Sequence, residues 1–257
     1  MVAFYTLLRK EVKRFLKVMM QTIVTPFMSS FLYLLVFGVS LGSKVDNLHQ
    51  VPYLAFLIPG LMMMSLMNNA FQNSSSSIAV SKFSGDLEDL RVAPLTPHHL
   101  LLSMGLGAVV RGAVVAIITY IVGIIFYYLQ FQEILTIKHP LILIYFILAG
   151  GFLFGLLGVC AGFWARSIEH IAAFSNFILL PLLYLGGVFV SIDSLPEWAQ
   201  KFSHLNPVLY LINGLRFGVL SVSDVSIQNS LLVSLLGILI MYLLGLLAIK
   251  KASFNRW

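Results

Sequence analysis

Residues 61–76, "LMMMSLMNNAFQNSSS", place Asn68, Asn69, Gln72 and Asn73 inside an otherwise apolar stretch. Carboxamides are neutral donors and acceptors, so they recognise and line rather than attack or transfer protons. At helical spacing Asn68 with Gln72, and Asn69 with Asn73, form two pairs on adjacent strips of one face. Against lipid such groups are unfavourable, so this face turns toward protein or a water-filled path. One use is interhelical hydrogen bonding, at about 1 kcal/mol or less per bond. The other is lining a path, and the spacing alone leaves both open.

Two further segments carry polar groups in pattern. In "SKFSGDLEDLRVAPLTPHHL", residues 81–100, Ser84 is expected to cap a short helix with Asp86, Glu88 and Asp89 in its first turn. Leu87 and Leu90 share one side, Arg91 follows, Pro94 stops the helix, and Thr96-Pro97 starts the next one. A short helix with acidic and leucine faces suits docking, and equally a solvated loop. In "SHLNPVLYLINGLRFGVL", residues 203–220, Asn206-Pro207, Asn213-Gly214 and Arg216 interrupt an apolar run that also holds Ile212 and Phe217.

Several chemistries are missing. No Gly-Lys dipeptide occurs, which excludes a phosphate loop of the G-x-x-x-x-G-K-[S/T] type. No His-Glu-x-x-His occurs, and the lone Cys160 excludes a disulfide framework or a cysteine-rich metal site. Gly38-Val39-Ser40-Leu41-Gly42 matches G-x-S-x-G, but at the end of a membrane helix it reads as packing glycines. His98-His99 read as interfacial.

The elements that position these groups follow from composition. The chain has 257 residues, 59% hydrophobic and 10% charged, with a mean hydropathy of +0.95. Soluble domains carry about a quarter charged residues. Long apolar runs predict crossings at about 22–42, 53–75, 101–129, 140–163, 171–191 and 226–249, each at least near the ~20 residues a spanning helix needs. No acidic residue falls in any of them, against the usual requirement of proton- or sodium-coupled carriers. The net charge of +6 sits at helix ends rather than in a nucleic-acid-binding patch. Arg9, Lys10, Lys13, Arg14, Lys17, Lys82, Arg91, Arg166, Lys250, Lys251 and Arg256 fall on one side, which predicts both termini cytoplasmic. The first crossing is too long for a signal-peptide core.

Residues 3–19 form a basic amphipathic helix. Phe4, Leu7, Leu8, Val12, Phe15 and Met19 share one face, with Glu11 as the exception on it. The pattern predicts a helix lying in the interface, cations toward anionic lipid headgroups. Arg111, inside the third crossing, is expected to snorkel or to pair with the cytoplasmic loops. Glycines 151, 155, 158 and 162 allow close helix approach. Before the last crossing, Ser194-Leu195-Pro196-Glu197 fits a capping box, and Asn206 caps a second short helix opening on Pro207. Residues 194–220 are therefore expected as an outer re-entrant hairpin. In it Trp198 and Tyr210 act as anchors, and Arg216 reaches headgroups, Glu197 or Asp224. The fold class is all-α membrane protein, a single domain over 1–257.

The chain resembles the ABC-2 family of membrane permeases. The resemblance covers the whole length and is carried by "GDLEDLRVAPL" (Gly85 to Leu95), "YLGGVFVSIDSLPEWAQKFSHLNP" (Tyr184 to Pro207) and "INGLRFG" (Ile212 to Gly218). It implies export of an amphiphilic, lipid-linked or drug-like substrate from a bacterial inner membrane. The energy would come from two copies of a separate cytosolic ATPase, which bind ATP and Mg, with no cofactor in this chain. It also implies pairing with a second permease, and makes the loop at 81–99, with Asp86, Leu87, Glu88, Asp89, Leu90 and Arg91, the coupling element. The rival classes are an ion-gradient-driven carrier and a non-transporting assembly subunit.

Overall fold

The computed structural model describes residues 2–41, 51–87 and 95–251. Those residues are helical, with irregular connections. The helices are α1 (Val2–Lys17), α2 (Met19–Tyr33, continued by a π-helical stretch Leu34–Leu41), α3 (Tyr53–Ser84), α4 (Pro97–Phe131) and α5 (Pro140–Trp164). Then follow α6 (Ile168–Phe174), a π turn Ser175–Leu179, α7 (Leu180–Tyr184), α8 (Glu197–Leu205), α9 (Pro207–Leu220) and α10 (Ile227–Lys251). Among the described residues five spans are long and apolar enough to cross a bilayer: Thr22–Ser40, Tyr53–Ser84, Pro97–Phe131, Pro140–Trp164 and Ile227–Lys251.

The expected fifth crossing is shorter than its apolar run. Of that run only the shorter apolar helix Ile168–Tyr184 is formed; at 1.5 Å per residue that is about 25 Å against ~30 Å of hydrocarbon. The cause is local. Gly187 takes φ +81°, a conformation that side chains rarely adopt, and the chain turns out of the helix before Val188.

At the centre, α3 is buried along most of its length, polar seam included, and α4 and α5 pack along it. The two glycine pairs on α5 serve different partners. A methyl at Gly155 would strike Ala108 of α4, and one at Gly158 would land on the Phe71 carbonyl of α3. α10 and α2 keep exposed apolar faces, Leu232, Leu236, Leu239 and Leu243 on the first and Val24, Met28 and Leu35 on the second. Ser30 and Thr119 share a buried hydroxyl hydrogen bond of 3.0 Å that fixes α2 to α4.

The helix ends sort into two groups. At one end Tyr53 donates to the Phe189 carbonyl (2.8 Å), and the His139 amide donates to the Gly218 carbonyl at the end of α9 (2.8 Å). At the other end, the Lys82 ammonium donates to the carbonyls of Gly162, Phe163 and Ala165 at 2.8–2.9 Å. These are orphan acceptors of the α5 C-terminus, where the helix dipole also favours a cation. His98 meets the Tyr242 hydroxyl at 2.6 Å, which ties α4 to α10.

Some local expectations are realised and others corrected. Thr96 accepts from the His99 amide (3.3 Å) and Asn206 from the Val208 amide (3.0 Å), each ahead of a proline at the first helical position. Ser84 is the last residue of α3, which Gly85 at φ 84° terminates; the short helix it was expected to cap would run on into residues 88–94, outside the described residues. Ser194 forms no capping box, because it ends a 3-10 turn and donates to the Ser191 carbonyl at 2.6 Å. Asn213-Gly214 does not break α9. Asn213 bonds back to the Leu209 carbonyl (3.1 Å), and Gly214 accommodates the Phe146 ring in mid-helix.

Candidate functional site

The site is a polar seam on α3, flanked by α1, α2, α4 and α6–α7. Its inner part is built by α1. Leu7, Glu11 and Phe15 form the buried stripe of that helix, and it packs against α4 rather than lying apolar side down in lipid. Glu11 is only 4% exposed. It accepts from the Ser77 hydroxyl at 2.7 Å and from Arg14 at 3.3 Å. Arg14 turns inward and reaches the Asn73 carbonyl (2.6 Å), the Asn73 side chain (3.0 Å) and Ser76 (3.2 Å). It does not face headgroups as expected, because the Glu11 carboxylate one turn away and the polar strip of α3 accept from both of its terminal nitrogens, although its Nε has no partner. Gly107 of α4 provides the space, since a methyl there would strike Glu11.

The four carboxamides are placed differently. Asn73 is buried and holds Arg14. Asn68, Asn69 and Gln72 line a cavity of about 230 Å³ that also touches Ser65 and Arg111. Gln72 and Arg111 continue into a second cavity of about 470 Å³, with Arg14, Ser75, Ser76 and Asn176 on its walls. Arg111 is 8% exposed, and its Nε has no hydrogen-bond partner. It neither snorkels to the surface nor pairs with an acid among the described residues; the long straight α4 keeps it between α3 and α6. An isolated buried cation is costly by several kcal/mol, which makes this an unusual side chain to leave uncompensated.

Arg216, at the opposite end, is 0% exposed. Of its expected surroundings, the structure supplies Asp224, at 3.7 Å, and neither headgroups nor Glu197. It also donates to the Gly187 carbonyl at 2.6 Å and lies 3.7 Å over the Phe56 ring. Asp224 is held in turn by Ser191 (2.8 Å), and its amide donates to Asn213 (2.8 Å). The arginine therefore cannot hold a hairpin at headgroup depth. Ile212 is fully buried, and α9 packs into α3, α5 and α10, while Phe217 stacks on His139 at 4.9 Å. α8 has the exposed apolar side chains Trp198, Phe202 and Leu205.

Of the expected coupling residues, Asp86 is exposed and Leu87 is buried beside Ile78 and Leu101. Glu88, Asp89, Leu90 and Arg91 lie outside the described residues. The sequence reading passed over Arg14, Ser76 and Ser77 as site residues, and the tyrosine and phenylalanine cluster of Tyr33, Phe37, Tyr184 and Phe189, with ring centroids 5.0–5.6 Å from Phe189. One signal was available for the first group: Glu11 is an acid on an apolar face, and it demanded a buried partner. The interior is also less free of acids than the predicted crossings suggested. α1 imports Glu11 and a loop imports Asp224, each neutralised by an arginine.

A helical membrane bundle with a polar seam and no metal-binding cluster among the described residues fits a permease, and comparison with known proteins gives the same result. Residues 2–220 match the ABC-2 type transporter family. The chain is 35% identical over 255 residues to the inner membrane transport permease YadH of Escherichia coli, across 99% of this chain and 95% of that protein. It is 24% identical over 206 residues to the daunorubicin resistance ABC transporter permease protein DrrB1 of Streptomyces coeruleorubidus, across 79% and 69%. The probable multidrug ABC transporter permease YbhR of Escherichia coli is 25% identical over 157 residues, across 61% and 41%. Similarity that runs almost end to end, on a bundle built around membrane-length helices, places this chain in the ABC-2 type transporter family, as the multi-pass transmembrane subunit of an ABC transporter of the inner membrane.

Proposed function

We propose that the chain forms, with a second copy of itself, the path of an exporter for an amphiphilic substrate, driven by two copies of a cytosolic ATPase that bind ATP and Mg. The observation that carries this reading is the seam. Asn68, Asn69 and Gln72 open on cavities that continue past Tyr33 to a third, of about 340 Å³, lined by Ser29, Leu32, Tyr33, Val36 and Phe37. A polar inner stretch joined to an apolar outer one suits a cargo with both characters. The names of the relatives, multidrug and daunorubicin resistance, agree with such cargo.

In this reading the end that carries α1, Arg166 and Lys250–Lys251 is cytoplasmic, by the positive-inside rule. Asp86 to Arg91 dock the ATPase there. Topology is tested with single cysteines at Asp86 and Lys201, both exposed, after removal of Cys160; Lys82, buried in the α5 cap, is unsuited to labelling. Labelling from the same side of the membrane would overturn the assignment.

The deciding experiment reconstitutes the chain with its ATPase in proteoliposomes. ATP should drive transport, and Glu88→Lys should remove it while membrane insertion persists, since losing one partner of a desolvated interfacial pair costs about 2–5 kcal/mol. Transport driven by an ion gradient without ATP would favour the carrier class instead. Both oxygens of Glu11 are already occupied, by Ser77 and Arg14, which leaves that buried acid poorly placed to load an ion.

A further inference from the structure

We infer that Arg111 is a headgroup subsite in the seam, and that the cargo carries an anionic oxygen group, a phosphate or a carboxylate, on an apolar body. The inference rests on the export reading and names its substrate class. Arg111 is more than nine-tenths buried, has an unpartnered Nε, and lines the two cavities at once. The groups around the same space are neutral: Gln72, Asn68, Asn69, Ser75 and Ser76. The acid packed nearest, Glu11, has one oxygen on Ser77 and the other on Arg14, so it does not serve Arg111. Arg14 lines the larger cavity too, but its charge is balanced by Glu11, so the uncompensated charge there is that of Arg111.

This arrangement discriminates between headgroups by charge. A cationic head would meet two guanidinium groups. A neutral head would leave a desolvated charge uncompensated. An anion supplies the counter-charge and accepts charge-assisted hydrogen bonds from the planar fork, which matches carboxylate and phosphate oxygens. The seam also changes character along α3. From Gln72 to Leu61 is about 16 Å at helical rise, and over that length the walls pass from carboxamides and serines to Leu61, Met64 and Tyr33. The head thus lies at Arg111, and the apolar body runs outward toward Val36 and Phe37.

The test is equilibrium binding to the purified full chain in phosphatidylcholine nanodiscs, with empty discs subtracted. It needs neither ATPase nor transport, so failure of the export reading leaves its outcome unaffected. Radiolabelled dodecyl phosphate should bind saturably and at least about tenfold more tightly than dodecyltrimethylammonium. Arg111→Gln should weaken it by about tenfold or more, and Arg111→Lys, which keeps the charge, by only about threefold. Gln72→Glu provides a second variant that puts a carboxylate into the same two cavities. It should abolish binding to a similar degree while relieving the buried cation, so a folding defect cannot account for the loss. Equal binding of the two amphiphiles, or unchanged binding in Arg111→Gln and Gln72→Glu, overturns the subsite. Competition by inorganic phosphate at the same concentrations as dodecyl phosphate would overturn the amphiphile part, because the site would then hold a free anion.

Discussion

Arg111 and Arg216 are both almost wholly removed from solvent, in helices of the same bundle, and their surroundings are opposite. Arg216 has a carboxylate, a carbonyl and an aromatic face within 4 Å, all from its own chain. Arg111 has two cavities and neutral walls. The contrast follows from chain position. Arg216 stands near the end of α9, and the loop that follows can bring Asp224 back over it. Arg111 lies in mid-helix on α4, and no acid among the described residues pairs with it. A buried cation with a counter-charge from its own chain acts as a rivet, even though Nε and Nη1 of Arg216 make no hydrogen bond; Arg111 has no such counter-charge among the described residues. The first holds the segments around Gly187 and Asp224 against α3; the second stands on the seam without a counter-charge among the described residues.

Breaking the rivet should give the largest effect. Asp224→Asn leaves Arg216 buried without its counter-charge, at about 3–5 kcal/mol. Thermal unfolding in detergent should show a large fall, with partial recovery when Arg216→Met is added. An unchanged melting temperature in the single variant would mean that the two arginines do not differ as described.

Lys82 extends the comparison to a buried cation neutralised by carbonyls alone. Lys82→Met removes charge-assisted bonds to the α5 C-terminus and should destabilise by about 2–3 kcal/mol. It should also accelerate hydrogen exchange at residues 165–167, next to the exposed cap, more than at α9; a uniform change would argue against a local role.

Glu11→Gln sharpens the inner side. Because Arg14 is partly exposed, the expected loss is only about 1 kcal/mol. α1 should become more accessible to protease, with α9 unaffected, and protection equal to the parent would show that the Glu11–Arg14 pair does not dock α1.

The smallest stability effect belongs to Arg111→Met, within about 1 kcal/mol of the parent or above it, since removing an uncompensated buried charge offsets the lost packing. Transport by the reconstituted complex should nevertheless fall. A drop in stability comparable to that of Asp224→Asn would reveal a hidden partner and erase the contrast.

Much of the fold was legible because its causes are local. A membrane helix must satisfy its own backbone, so apolar length marks it; Thr96-Pro97 and Asn206-Pro207 act within three residues, and both caps form. The failures share a cause of another kind. Asn213-Gly214 has breaker chemistry, but Phe146 of α5 fills the place of a side chain and the helix continues. Ser194 had a capping pattern, but it ends the preceding 3-10 turn and Pro196 takes the N-cap position instead. The end of the fifth crossing depended on one backbone angle at Gly187 inside an apolar run that shows no polarity change.

The sequence by itself determined that this is a helical membrane protein, that its basic residues gather at helix ends, that no phosphate loop is present, and that four carboxamides and a lone arginine occur in apolar surroundings. Those are properties of composition and short-range spacing. Only the tertiary structure decided which charges cancel. Glu11 meets Arg14 within one helix, yet it is buried only because α1 docks over Ser77 and Gly107. Arg216 reaches Asp224 through a loop, and Arg111 reaches no acid among the described residues. Electrostatic pairing depends on distance and burial in space, and neither is written in the order of residues along the chain.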